Sequence, residues 1–353
     1  MVKFEALQDK PEVDSEDEAL AEMLGMSMKT FKEVAVECEE IVDDSSFNSH
    51  GIPSFPRSTL SSILHESHAR NLYKSNSVYI FPKKLSIPAD LMRRIALEIT
   101  LEKYHSDKTY ETIQVLTNVG GIDDDDDATI EKRRTLTRME NFVASHPIWS
   151  ELCHSYLQQI VSIVMGEEMV LFKEKLNIKP PGGSGFAPHL DTPSLRIALG
   201  EDGPQSFITV MVAIDNMTKQ NGCLRIAQGQ CWSEENQVQV VEPESNGNPD
   251  GNGRAGAIAL EVAEMLDYTD LECEAGTIAL FNGWAPHRSA VNRSHFPRRA
   301  VFLTYNPKRE GDFRNLYYQR MYEVRHAWKE RPRLDRTNDY EADLDALNSI
   351  PRI

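Results

Sequence analysis

The 353-residue chain is short of cysteine, of basic charge and of long apolar runs, and each shortage argues against a class of protein. Its five cysteines, Cys38, Cys153, Cys223, Cys231 and Cys273, are scattered and form no CxxC pair. That pattern argues against a zinc ribbon or a disulfide scaffold and favours free thiols in a reducing, cytoplasmic compartment. Lys and Arg number 38 against 55 Asp and Glu, a formal net charge of -17. Such a surface repels phosphate backbones and anionic membranes, so neither nucleic acid nor a membrane is an expected partner. No stretch reaches the roughly 18 apolar residues of a membrane span. The opening MVKFEALQDKPEVDSEDEAL lacks the basic and apolar regions of a secretory signal. What the chain does have is 40 % hydrophobic residues, enough for a large buried core.

Residues 1–50 differ from the rest, with 14 acids against 4 bases. Asp14-Ser15-Glu16-Asp17-Glu18 suits a helix start, because acids favour an N-terminal turn. Leu20, Met23, Leu24, Met28 and Phe31 then recur at helical spacing. This predicts an acidic helical extension that packs on the core or joins a second copy in a homo-oligomer. A Ser- and Pro-rich linker, Ser45–Ser58, leads into a domain over 51–353. Its first part is mixed, with a strand predicted at Ser77–Phe81 and helices at Ala89–Tyr104 and Trp149–Val164. The run Asp123–Asp127 reads as a solvated loop. From Met169 the pattern turns to strands: Met169–Phe172, Phe207–Ile214, Gly276–Phe281 and Ala300–Tyr305. Gly- and Pro-rich turns separate them, and Pro243–Gly256 reads as an excursion between strands. Short strands without helical crossovers predict a mainly β fold with flanking helices, a jelly-roll core over about 165–310.

Within that core, Pro188-His189-Leu190-Asp191 places an imidazole and a carboxylate two residues apart. If the segment is a strand, both point to one face and reach one ion. His287 follows 98 positions later, just beyond the Gly276–Phe281 strand. Two imidazoles and one carboxylate form the facial triad of non-haem iron(II) oxygenases, which leaves positions open for a chelating co-substrate and dioxygen. A chance HxD would be a His bonded to a nearby Asp. Arg298, 11 positions after His287, makes chance a poorer account. A planar guanidinium near the metal suits the far carboxylate of 2-oxoglutarate. The basic side chains Lys173, Lys175, Lys179, Arg138 and Arg196 are candidates to neutralise an anionic substrate.

HLD, a distal His and an Arg eleven residues on resemble the phytanoyl-CoA dioxygenase-like family, over roughly residues 75–325. The blocks LFKEKLNIKPPGGSGFAPHLD, FITVMVAIDNMTKQNGCLRI and GTIALFNGWAPHRSAVNRSHFPRRAVFLTYN carry the resemblance, together with Arg138-Met139-Glu140-Asn141-Phe142. They are most similar to the branch of 2-aminoethylphosphonate hydroxylases. The resemblance implies a double-stranded β-helix of the cupin type and a dioxygenase that uses Fe(II), 2-oxoglutarate and O2. It implies His189, Asp191 and His287 as catalytic metal ligands and Arg298, Ser289 and Asn177 as co-substrate contacts. It also implies hydroxylation of a small polar molecule, an organophosphonate first, for which the basic side chains Lys175, Lys179, Arg138 and Arg196 are the candidate anion contacts. Related halogenases carry a small residue at the carboxylate position, so Asp191 favours hydroxylation. An acyl-CoA or other small metabolite is the alternative substrate. A non-catalytic binding relative and a peptide hydroxylase are rivals of other classes. Leu190 stands where many relatives have Gln. Thr192–Pro204 has no evident counterpart, so the loops that select a substrate are the least legible part.

Overall fold

The computed structural model describes residues 46–118, 131–228, 230–240 and 255–329. Residues Val42–Ile353 form one unit and Met1–Ile41 a second. The expected acidic helices, the Asp123–Asp127 loop and most of the Pro243–Gly256 excursion lie outside the described residues.

The chain enters through α1 (Arg57–Leu64), α2 (Glu66–Asn76), β1 (Val78–Ile80) and α3 (Ala89–Glu98). In α3, Leu91, Met92, Ile95 and Ala96 are buried at helical spacing, and Pro88 precedes the first turn, where a missing N–H costs nothing. A hairpin follows, β2 (Tyr110–Asn118) and β3 (Glu131–Glu140). The next helix is continuous in course but changes pitch, from α4 (Pro147–Glu151) through a π turn (Leu152–Leu157) to α5 (Gln158–Met165). It stops at Gly166, whose φ of +78° suits a residue without a Cβ. Arg70 covers that end by donating to the Ile163 and Val164 carbonyls.

The remaining elements build the barrel. They are β4 (Met169–Lys179), β5 (Phe186–His189), α6 (Thr192–Leu199), β6 (Ile208–Ala213), β7 (Leu224–Ala227), α7 (Leu260–Glu264), β8 (Tyr268–Leu271), β9 (Ile278–Asn282), β10 (His287–Ser289), β11 (Arg298–Pro307) and α8 (Arg314–Lys329). One sheet has the order β1-β9-β6-β11-β4-β3-β2 and the other β5-β10-β7-β8, with every pairing antiparallel. These two sheets, with helices outside, are the jelly roll predicted from the strand pattern.

The alternation of β11 shows where the cores lie. Val301, Leu303 and Tyr305 enter a cluster with the helical residues Leu60, Ile95, Trp149 and Ile160. Ala300 and Phe302 enter another with Leu224, Ile226 and Leu271 of the smaller sheet. The larger sheet is therefore backed by helices on one face and closed by the smaller sheet on the other. Both faces of β6 are buried, which is why Ile208–Ala213 reads as a continuous apolar run interrupted only by Thr209.

Two expectations change. The charge-dense β3, EKRRTLTRME, pairs with β4 and adds β2 and β3 to the larger sheet, where no strands were expected. Asp191 is not in a strand: β5 ends at His189, and Asp191 has helical backbone angles at the N-terminus of α6. Strand alternation therefore does not bring His189 and Asp191 together.

Candidate functional site

The chain turn between β5 and α6 performs that task. The Leu190 amide donates to the Gly256 carbonyl, and the Asp191 and Thr192 amides both donate to the Gly283 carbonyl at 3.0 Å. Leu190, between the ligands, is buried in a small cluster with Ile258 and Ala263. So the apolar middle residue anchors the turn while its neighbours converge. His287 opens β10 and is the cross-strand partner of His189. The ligand atoms of His189, Asp191 and His287 lie within 4.8 Å of one another, and all three residues are buried.

Hydrogen bonds fix what these atoms offer. His189 Nδ1 lies 2.7 Å from the Ala187 carbonyl and His287 Nδ1 lies 3.0 Å from the Ala285 carbonyl. A carbonyl only accepts, so each Nδ1 carries a proton, which leaves Nε2 as the nitrogen whose lone pair the neutral ring offers to a metal. Both Nε2 atoms stand 3.8 Å from Asp191 Oδ1. The other carboxylate oxygen, Oδ2, accepts from the Thr209 hydroxyl at 3.1 Å. Thr209 thus orients Asp191 with Oδ1 towards the imidazoles. It was not anticipated, although one hydroxyl in an otherwise apolar strand was a usable signal.

The inner face of the larger sheet is cationic. In β4, Lys173, Lys175, Asn177 and Lys179 alternate with buried Phe172, Glu174 and Leu176. Arg138 is opposite Asn177, and Arg298 is opposite Lys179. The acid on this face is Glu140, 1 % exposed, with Arg138 Nη1 at 3.6 Å and Lys173 Nζ at 3.7 Å. A cavity joins His189 and His287 to Arg138, Lys175, Asn177 and Arg298. Ser289 and Phe302 also line it.

Arg298 is 2 % exposed. Its Nη2 donates to the Gly222 carbonyl at 2.6 Å, its Nε has no partner, and among the described residues it forms no salt bridge. Burial, partly offset by Cys223, Cys273 and Asp215, pulls its pKa down to about 10. It is charged at neutral pH, and a buried cation in that state is costly without an anion. Asn177 Oδ1 is also buried and without a partner. The orphaned Arg298 Nε is a donor on the cavity wall and fits an incoming carboxylate, whereas Asn177 Oδ1 is an acceptor and could meet a carboxylate only through the Asn177 amide nitrogen; the two imidazoles with one carboxylate fit a divalent iron.

Two of the basic candidates sit elsewhere. Arg196, on α6, donates to both Glu234 oxygens and to the Gln205 carbonyl and stacks over Trp284. It does not line the cavity. Lys179 does not line it either; it is buried behind Ser289.

The sequence profile of the phytanoyl-CoA dioxygenase (PhyH) family matches residues 100–300. The 2-aminoethylphosphonate dioxygenase of uncultured bacterium HF130_AEPn_1 is 42 % identical over 187 residues, 53 % of this chain and 64 % of that protein. The methylphosphonate hydroxylase of Gimesia maris is 34 % identical over 182 residues, 51 % of this chain and 62 % of that protein. The match therefore spans less than two thirds of either relative. Among solved structures, EctD from S. alaskensis with 2-oxoglutarate and 5-hydroxyectoine aligns at a TM-score of 0.48 and 16 % identity, over 69 % of this chain and 77 % of that one.

Proposed function

Because the chain belongs to the phytanoyl-CoA dioxygenase family, we propose that it is an iron(II)- and 2-oxoglutarate-dependent hydroxylase of a small organophosphonate, 2-aminoethylphosphonate first. The observation that carries the reading is the clustering of the His189, Asp191 and His287 ligand atoms, with both imidazoles lining one cavity together with buried Arg298, which forms no salt bridge among the described residues. The phosphonate is supported by the inner-face cations, in a chain whose net charge is otherwise -17, and by the two phosphonate-acting relatives.

In this reading His189, Asp191 and His287 hold the iron, and Arg298, Ser289 and Asn177 hold 2-oxoglutarate. Together with dioxygen these supply the chemistry that converts a C–H bond to C–OH, with succinate and carbon dioxide as co-products. Thr209 keeps Asp191 turned to the ion, and the Ala187 and Ala285 carbonyls hold both rings in the ligating tautomer. Arg138 and Lys175, on the same cavity wall, take the phosphonate oxygens. Burial of the metal ligands excludes bulk water from the reacting C–H. Arg196 is left out of the substrate contact, since it does not line the cavity and four of its five N–H groups are given to Gln205 and Glu234.

Four cysteines, Cys153, Cys223, Cys231 and Cys273, are free, which fits a reducing cytoplasmic setting. No helix among the described residues is long and apolar enough to cross a membrane.

The test is succinate release by the Fe(II)-loaded chain with a substrate panel. The panel comprises 2-aminoethylphosphonate, methylphosphonate, an acyl-CoA and a peptide mixture. Stimulation by 2-aminoethylphosphonate, abolished in His189→Ala and Asp191→Ala, is the expected result. Stimulation by the acyl-CoA or peptides alone would overturn the substrate assignment, and no turnover with any member would overturn the hydroxylase.

A further inference from the structure

Lys179 is 3 % exposed, yet none of its partners is a carboxylate. Its Nζ donates to the Gly222 carbonyl at 3.3 Å, to Ser289 Oγ at 2.8 Å and to the Ala290 carbonyl. An ammonium has three protons, so these three acceptors use them all. The Gly222 carbonyl is shared with Arg298 Nη2, and Arg298 is the cross-strand neighbour of Lys179. Gly222 has a φ of +71°, and a Cβ there would meet the Ala290 carbonyl at 2.3 Å and Lys179 Nζ at 2.9 Å. This turn is therefore built around the ammonium.

Ser289 receives two donors. Its Oγ accepts from Lys179 and from the Phe186 amide at 3.2 Å. A hydroxyl has two lone pairs and one proton, so with both lone pairs engaged its proton remains to be given. Ser289 lines the cavity beside Arg298.

We propose that Lys179 is a positioning residue of the co-substrate clamp: it polarises Ser289 so that the hydroxyl proton goes to the distal carboxylate of 2-oxoglutarate, and it adds a second positive charge behind Arg298. This moves Lys179 from the substrate side, where its sequence position suggested it, to the co-substrate side. The proposal rests on the 2-oxoglutarate reading above. Burial and the neighbouring Arg298 lower the Lys179 pKa to about 7, with Cys223 acting weakly in the other direction. An anion on the clamp relieves that cost and favours the charged ammonium.

The test is calorimetric titration of the anaerobic Fe(II)-loaded protein with two ligands. 2-Oxoglutarate carries the distal carboxylate, and 2-oxopentanoate has a methyl in its place. In Lys179→Met, 2-oxoglutarate affinity should fall by about 10- to 100-fold, the range of a charged hydrogen bond lost from a buried site. Binding of 2-oxopentanoate should change by less than about 2-fold, because its proximal end is held by the metal. Equal weakening of both ligands, or no weakening of either, would overturn the role of Lys179 while leaving the co-substrate assignment standing. A wild type that binds neither would overturn the co-substrate reading itself. If Lys179→Met does not fold, Ser289→Ala reads the same relay, with the same selective loss expected and an equal loss of both ligands counting against it.

Discussion

Thr209 is a single hydroxyl in the core, 1 % exposed, and its bond is to the metal side of the molecule rather than to its scaffold. Thr209→Val keeps the shape of the side chain but leaves Asp191 Oδ2 without its donor. The carboxylate then loses one of the contacts that orient it, and an outer partner of this kind is commonly worth about 10- to 100-fold in metal affinity. Titration of the apoprotein with Fe(II) should show a loss in that range. Wild-type iron affinity in the Thr209→Val protein would mean that the β5–α6 turn alone holds Asp191. At this scale the candidate ligands and Arg298 were readable, because the proposed chemistry demands particular residue types at particular separations. Thr209 was not, because one hydroxyl acquires its role only from the pairing of β6 beside the turn. Arg196 and Lys179 show the opposite problem. Both are basic and near the HxD segment, but the donors of one are taken by Glu234 and those of the other by a turn.

Only Met169–Phe172 of β4 was expected as a strand, and the structure extends it to Lys179, where alternation puts Lys175, Asn177 and Lys179 on one side and Leu176 on the other. Its exception is Glu174, 0 % exposed on the apolar side. Arg314 of α8 forms an ion pair with it, the Tyr318 hydroxyl lies 2.9 Å from Oε2, and the Val143 amide donates to Oε1 at 3.0 Å. The same Arg314 donates to Asn141 Oδ1 at 3.2 Å. Asn141 has a φ of +59° at the end of β3, a conformation that Asn tolerates better than most residues. Glu174 therefore ties β3, β4 and α8 together. Arg314→Met should destabilise the protein by about 3 kcal/mol, since it strands a buried carboxylate. Adding Glu174→Gln removes that charge while keeping an acceptor for Val143, so the double variant should recover part of the loss in denaturant unfolding. If the double variant is no more stable than Arg314→Met, packing of the arginine stem rather than charge pairing holds α8. None of these long-range partners follows from local pattern. The β2–β3 hairpin was missed for a related reason: six of the ten residues of β3 are charged, and its strand form depends on pairing with β4 and β2.

The whole molecule sets two charge scales against each other. Met1–Ile41 carries 12 acids and 4 bases, about half of the net -17, while every candidate site residue lies in Val42–Ile353. The cavity itself is cationic. The phosphonate group of the proposed substrate would therefore meet long-range repulsion from the chain and short-range attraction from Arg138 and Lys175. Salt separates the two, because the Debye length is about 30 Å at 0.01 M and about 8 Å at 0.15 M, and buried charges are screened least. A chain starting at Val42 should keep the full-length kcat for 2-aminoethylphosphonate, since it retains the proposed machinery. Its KM should be lower than that of the full chain by about 2-fold at 0.01 M salt, and the two should converge at 0.15 M. A KM difference that persists unchanged at high salt would point instead to direct substrate contact by the first 41 residues. A lost kcat would place part of the proposed site in them. Convergence would make the effect of the extension on the substrate purely electrostatic.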